Sequence, residues 1–202
     1  MRILFVTIAV CLLLSTSALA DNPWEQTSEK LAAADCVRFE FITIVTSEVF
    51  ETVDTLPGTA LIAADGRYLV ELGSDVFLDD GKHLYSYSEE NEQVVIEPSA
   101  VGQGANEVTF VTQLEKYYKV APYWKPLNEY SLRLRDSVEI DLPKHMNMSV
   151  DVGRNELDWL HFKDENDDRT KIDFLSQDCL DECDSTAFLP DFPETAEKVK
   201  LP

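Results

Sequence analysis

Cysteines are the residues in this sequence whose chemistry is easiest to anticipate. Beyond the N-terminal apolar run there are three: Cys36, Cys179 and Cys183. In an oxidising compartment this number predicts one disulfide and one free thiol. Two pairings stay open. Cys179 with Cys183 would close a short loop, whereas Cys36 with either of them would tie the N-terminal part of the chain to the C-terminal part. No histidine lies at ligand spacing from them, which argues against a zinc site.

The other candidate groups give little support for catalysis. His83, His145 and His161 are scattered, and each lies beside a strand pattern, which favours structural or surface roles. Neither G-x-S-x-G nor H-E-x-x-H occurs. The acidic run at 164–168 lacks the glycine and the spaced carboxylates of a calcium loop, so it predicts a solvated turn. We expect no enzyme, no metal and no cofactor; a hydrolase with a scattered active site is the remaining catalytic alternative.

Residues 1–20 predict a secretory signal peptide. The apolar run from Ile3 to Leu14 is too short to span a bilayer core of about 30 Å. It is followed by the small-residue sequence Ala18-Leu19-Ala20, which fits a cleavage site. We expect residues 21–202 to form a single domain, because this length suffices for one hydrophobic core. No later apolar run reaches membrane-spanning length, so that domain is expected to be soluble.

The sequence is strongly acidic. The formal net charge is -21, from 38 acidic and 17 basic residues. Phosphate binding needs clustered lysine and arginine, so this balance argues against nucleic acid as a partner. It argues equally against resting on an anionic lipid surface. We expect a well-solvated monomer whose negative rim would speed its encounter with a basic partner.

Hydrophobic periodicity predicts a mainly β chain with helices. One helix is predicted over 21–34 and a central one over 106–119, where Asn106 provides a cap and apolar residues recur at helical spacing. Elsewhere, short alternating segments separated by polar turns indicate an antiparallel meander rather than βαβ units. The predicted strands are 37–45, 49–55, 59–63, 67–72, 75–78, 83–87, 93–96, 130–135, 138–142, 147–152, 158–163 and 169–175.

About ten strands in one sheet would curl strongly, and the two helices would cover the open side like a lid on a cup. The interior of that cup is predicted to be apolar. Candidate cavity residues are Phe39, Phe41, Tyr68, Val70, Leu72 and Leu84, and candidate lid residues are Phe110, Val111 and Leu114. Ordinary core packing is the alternative role for each of them.

Four segments occur in a characteristic order. They are Gly58–Ile62, Arg67–Glu71, the hairpin Leu78–Tyr87 and Glu92–Val94. This order of a glycine-led strand, an aromatic strand, a D-G-K hairpin and an E-Q-V strand resembles the periplasmic outer-membrane lipoprotein carrier proteins, the LolA family. Two later segments, Met148–Arg154 and Phe188–Pro193, also resemble that family. The resemblance therefore covers most of the chain after residue 20.

The resemblance implies a half-open antiparallel β-barrel whose N-terminal and central helices form a lid over an apolar cavity. It implies a periplasmic carrier that takes the acyl chains of lipoproteins or other lipids from an inner-membrane lipoprotein-releasing transporter. The carrier would hand them to an outer-membrane acceptor without performing chemistry. The alternative is a lipid- or lipoprotein-sensing regulatory protein of the same fold that transfers nothing.

The sequence departs from the family pattern at the lid. The family has an Arg-Pro pair before the aromatic strand, and its arginine is thought to hold the lid closed by hydrogen bonds. Those positions here are Ala64 and Asp65. The tryptophan expected in the aromatic strand is Val70, and the glutamine expected in the first strand is Thr43. These departures concern the lid lock, whereas the fold rests on alternation and turns.

Overall fold

The computed structural model describes residues 22–99, 101, 109–138, 142–163 and 167–201. Helices α1 and α2 span Pro23–Ala33 and Leu114–Tyr117, and 3₁₀ helices span Thr109–Gln113, Lys125–Leu127 and Ser185–Phe188. Strands β1 to β12 span, in chain order, Cys36–Ser47, Thr52–Ala63, Tyr68–Leu72, Asp75–Asp79, His83–Ser88, Gln93–Pro98, Tyr118–Trp124, Glu129–Leu134, His145–Asp151, Glu156–Lys163, Arg169–Leu180 and Glu197–Lys200. None of the helices in this part of the chain is long and apolar enough to cross a membrane.

The strands form one curled sheet that does not close. Its order is β12-β6-β5-β4-β3-β2-β1-β11-β10-β9-β8-β7, so β12 and β7 lie at opposite edges and do not pair with each other. Neighbouring strands are antiparallel apart from β12, which lies parallel to β6. The sequence analysis predicted neither of the two edge strands. β12 is a short strand with three charged residues, and β7 contains Pro122, so neither shows the alternation of a half-buried strand.

The prediction of separate strands over 49–55 and 59–63 is wrong, because Thr52–Ala63 is one strand. Its register with β1 continues through Pro57 without a shift. The Pro57 carbonyl accepts a hydrogen bond from the Gly73 N–H at 2.9 Å, so the ring nitrogen of Pro57 also faces the side of β3. β3 ends next to Pro57, at Leu72. The proline therefore lacks an N–H only on the side of β3, and no hydrogen bond to β1 is lost. Proline is tolerated in such an edge position.

The predicted helix over 106–119 is also wrong in length and type. Residues 109–117, which we call the lid segment, form a 3₁₀ helix and the short helix α2, and β7 begins at Tyr118. Tyr118 is fully buried and Lys119 is exposed, which is the alternation of a strand, and Tyr118 pairs with Leu134 of β8. Pairing with β8 therefore determines the structure of these residues, although the spacing of their apolar side chains is also compatible with a helix. The predicted cap at Asn106 lies outside the described residues.

The predicted strand over 138–142 is not present at its two described residues. Its end residues Val138 and Leu142 are not in a strand, and residues 139–141 lie outside the described part of the chain. Leu142 is nevertheless buried in the apolar interior. The connection between β8 and β9 therefore contributes a core side chain without adding to the sheet.

Helix α1 is fixed at its start and along one side. The Asn22 side chain accepts a hydrogen bond from the Trp24 N–H at 3.2 Å, and Pro23 occupies the first turn, where its missing N–H costs nothing. The Tyr130 hydroxyl donates to Asn22 Oδ1 at 2.8 Å. Trp24 and Leu31 are buried. The helix is thereby held against the sheet and packs on β9 and on the lid segment.

Alternation gives the sheet two apolar faces. The inner face, which carries Phe39 and Val70, is covered by α1 and the lid segment and forms the main core. The outer face, which carries Ala63 and Leu78, forms a second cluster with Phe188 from the chain after β11. The C-terminal segment, residues 181–201, thus covers part of the sheet surface that would otherwise face water.

Candidate functional site

The predicted cavity residues meet on the inner face. Phe39, Tyr68 and Val70 are buried in the main cluster, on strands β1 and β3 that flank β2. Phe41 and Leu84 are partly buried and pack against that cluster. Leu72 is half-buried at the end of β3 and does not belong to it. The structure therefore brings five of the six side chains together, and Leu72 stands apart.

The predicted lid residues belong to the same cluster. Phe110, Val111 and Leu114 are all buried, with Leu114 only 2% exposed. The ring of Phe110 packs against the ring of Tyr118, with 6.2 Å between centroids. The lid segment therefore reaches into the interior that the sheet encloses, although it is shorter than the predicted helix.

The far half of the sheet supplies interior residues that the sequence analysis missed. They come from β8 to β11 and include Tyr130, Leu132, Met146, Met148, Val150, Leu157, Leu160 and Phe174. A signal was available in the alternation of Met146, Met148 and Val150, all of which are nearly inaccessible to solvent. Methionine side chains are flexible and polarisable, so they fill irregular gaps in an apolar interior.

The interior is mainly apolar and contains few ionisable groups. Among the buried side chains of the described residues, Asp79 is the only carboxylate or amine. One of its oxygens accepts hydrogen bonds from the Gly81 N–H at 2.8 Å and the Ser99 hydroxyl at 2.6 Å. Burial raises the pKa of Tyr118, so this phenol stays neutral, and its hydroxyl donates to the Pro143 carbonyl at 3.0 Å.

A cavity of about 250 Å³ opens at the seam between α1 and the lid segment. The cavity is lined by the C-terminal end of α1, the adjoining ends of β1 and β2, and the lid segment. The lining residues are Leu31, Ala32, Ala34, Val37, Ile62, Ala63, Ala64, Thr112 and Gln113. None of the nine predicted cavity and lid residues is part of this lining. The exposed rim residue Ala64 occupies the position that the family gives to its arginine.

The nearby arginine is engaged on the other side of the sheet. Arg67 Nε bonds Asp65 Oδ2 at 2.8 Å, and its guanidinium carbon lies 4.8 Å from the centroid of the Phe188 ring. Because Phe188 covers the outer face, Arg67 does not reach the seam at Ala64. The arginine therefore secures the C-terminal segment and leaves the seam without a long hydrogen-bonding side chain from this turn.

The cysteines lie on opposite faces. A disulfide joins Cys36 to Cys183 on the outer side, with 5.1 Å between their Cα atoms. Cys179 is a free thiol that packs against the inner cluster, and burial raises its pKa. It is therefore a weak nucleophile. Within the described ranges, no group of three or more His, Cys, Asp and Glu side chains is arranged to hold a metal ion.

Comparisons with known proteins give likenesses of fold. No family model matches the sequence, and no curated protein matches it. An uncharacterized conserved protein from Thermus thermophilus has a TM-score of 0.53 at 12% identity, over 89% of this chain and 97% of that chain. A LolA superfamily protein from Nitrosomonas europaea has a TM-score of 0.44 at 10% identity, over 83% and 96%. LprF from Mycobacterium bovis has a TM-score of 0.43 at 10% identity, over 86% and 95%.

The predicted architecture is confirmed. The resemblance implied a mainly β chain with a curled, unclosed sheet and helices across its inner face, and the structure has this architecture. At these identities the comparisons speak of the fold alone.

Proposed function

We propose that this protein binds the acyl chains of lipids or lipoproteins between the inner face of the sheet and its helical cover. The observation that carries the proposal is the single apolar cluster that unites sheet residues such as Phe39 and Val70 with Leu114 of the lid segment. Each methylene group moved from water into such an interior contributes about 0.8 kcal/mol. One or more chains would therefore supply ample affinity.

In the part of the chain that the structure describes, the inner face is filled by buried side chains, so binding requires the lid segment to move. The cavity at the seam, about 250 Å³, is smaller than ligand pockets of about 300–1,000 Å³. The seam is the natural place to open, because small side chains such as Ala64 face Thr112 and Gln113 there. Lipid would then replace Phe110, Val111 and Leu114 as the contents of the cup.

In the cell, the protein would act as a periplasmic carrier once its signal peptide is removed. It would receive acylated lipoproteins from an inner-membrane transporter and pass them to an outer-membrane acceptor, performing no chemistry itself. Its surplus of acidic residues supports transfer to a basic acceptor, because complementary charge speeds encounter.

A second function of the same site is sensing of lipid or mislocalised lipoprotein without transfer. The observation that favours it is Ala64 at the rim of the seam, because the family arginine that would hold the lid closed is replaced. A carrier must expel its cargo by closing again, whereas a sensor need only open and signal to a partner.

Dye displacement tests the binding proposal. The purified protein is saturated with an environment-sensitive hydrophobic dye and then titrated with a triacylated lipopeptide or with the same peptide lacking acyl chains. Displacement by the acylated form alone is expected. If the dye binds but neither peptide displaces it, or if no dye binds, the interior is a filled core and the proposal fails.

A lid variant locates the binding site. Leu114→Asp should weaken lipopeptide binding about ten-fold or more, because it removes an apolar contact and adds a charge at the interior. Lys119→Gln is the matched control, since it changes the net charge equally at an exposed position. Leu114→Ala serves if the aspartate variant does not fold. Unchanged affinity in a folded Leu114 variant would remove the lid segment from the site.

A further inference from the structure

The β1–β2 ribbon, residues 42–57, extends beyond its neighbour on one side. β2 pairs with β1 along its whole length, but it pairs with β3 only over Gly58–Ile62. Every residue from Thr52 to Pro57 is exposed. In the described part of the chain, no strand therefore lies beside this half of β2 on the side away from β1.

The backbone of this half-strand presents open hydrogen-bonding groups. Ala63 donates to Arg67 and Pro57 accepts from Gly73, each at 2.9 Å, so these alternate residues of β2 point towards the side of β3. The register with β1 is continuous. Val53 and Thr55 consequently direct their N–H and C=O groups to the open side, where the described residues offer them no partner. An unpaired edge of this kind is a template for another strand.

The side chains around this edge are apolar and acidic. Val49, Phe50 and Val53 are 74%, 77% and 65% exposed. A group of exposed apolar side chains at one place marks an interaction site more often than scattered ones do. Glu51 and Asp54 lie among them and form no ion pair with the described part of the chain.

We propose that this edge binds an extended, basic segment of a partner protein by strand addition. Main-chain hydrogen bonds to Val53 and Thr55 would extend the sheet, and the exposed side chains of Val49 and Phe50 would pack against the added segment. The negative charge of the protein indicates which kind of partner this edge would bind. A second copy of this chain would bring like charges together in a protein of net charge -21, and an anionic lipid surface would be repelled in the same way. The edge lies apart from the interior, so the proposal does not rest on lipid binding.

Peptide selection tests this proposal with a defined probe. A displayed library of random nine-residue peptides is selected on the purified protein, and the binders are measured against two variants. Thr55→Pro removes the N–H on the open side and leaves the bonds to β1 intact, whereas Thr55→Val keeps that N–H. The expected binders carry net positive charge. They should bind Thr55→Pro about ten-fold more weakly and Thr55→Val equally well.

Hydrogen exchange locates the contact. A selected basic peptide should slow exchange at the Val53 and Thr55 amides, and added salt should weaken its binding. Should Thr55→Pro fail to fold, Glu51→Lys with Asp54→Lys replaces it and should shift selection towards acidic peptides.

Three results would overturn the proposal. The first is selection of neutral or acidic binders, or of binders that tolerate Thr55→Pro. The second is protection confined to other amides. The third is another occupant of the edge: self-association in sedimentation experiments, or binding to anionic vesicles, that the Thr55 variant abolishes.

Discussion

The ring of Phe41 lies over Gly58, its partner on the neighbouring strand. A Cβ atom on Gly58 would lie 2.5 Å from two ring carbons of Phe41 and 3.1 Å from the carbonyl oxygen of Glu71. The glycine that leads the strand in the sequence motif is therefore the place where an inner-face aromatic ring folds down onto the sheet.

Gly58→Ala should consequently lower the free energy of unfolding by about 1–3 kcal/mol, because the Phe41 ring must move out of its packed position. Urea denaturation measures the loss. In the double variant with Phe41→Leu, the smaller side chain leaves room for the methyl group, so the two changes should cost less than their sum. Strict additivity would show that the ring is not what excludes a side chain at position 58.

Removal of the disulfide should destabilise the protein by about 2–5 kcal/mol. The bond between Cys36 and Cys183 spans 147 residues and holds the C-terminal segment on the outer face. Its loss should lower the thermal midpoint and expose that segment to proteases. The comparison is Cys36→Ser with Cys183→Ser against Cys179→Ser, which removes only the free thiol. Equal effects of the two would argue that the disulfide does not secure the segment.

The hairpin that follows β4 should give stability a dependence on pH. Partial burial raises the pKa of Asp80, but the N–H groups of His83 and Lys82 and the Tyr85 hydroxyl outweigh it, so the pKa lies below its ordinary value. A carboxyl with a lowered folded-state pKa stabilises the fold above its unfolded pKa of about 3.9, and this stabilisation is lost as the pH falls through the folded-state pKa.

Asp80→Asn should therefore lower the urea midpoint at pH 7 and have a diminishing effect as the pH falls below about 4. Asp191→Asn, at an exposed position in the C-terminal segment, is the control. A deficit in Asp80→Asn that stayed constant across this pH range would point to lost packing rather than lost charge.

Covering the cavity at the seam should favour the closed interior. Ala64→Leu places an apolar side chain at the rim of the cavity and should raise the free energy of unfolding by about 1 kcal/mol. Because the closed form is stabilised, lipopeptide affinity should fall. Ala121→Leu, at an exposed position on β7, is the matched control. Stronger lipopeptide binding by Ala64→Leu would indicate that lipid occupies the seam without displacing the lid segment.

The sequence by itself determined most of the strands inside the sheet and the face that their side chains take, although it missed both edge strands. The alternation around Phe39 and around Val70 predicts both, because a strand exposes successive side chains to opposite faces whatever its neighbours are. The glycine-led strand and the Asp-Gly hairpin placed the turns, and their order pointed to a LolA-like fold. These are local properties, set by residues close together in the chain.

Tertiary structure decided whatever depends on neighbours distant in the sequence. Only the register of β2 between β1 and β3 shows why Pro57 can lie within a strand, and only pairing with β8 makes Tyr118 a strand residue rather than the end of a helix. The choice of Cys183 over Cys179 follows from alternation in β11 combined with the return of the C-terminal segment over the outer face. The seam at Ala64 likewise arises where three separate segments meet, so no pattern within one of them predicts it.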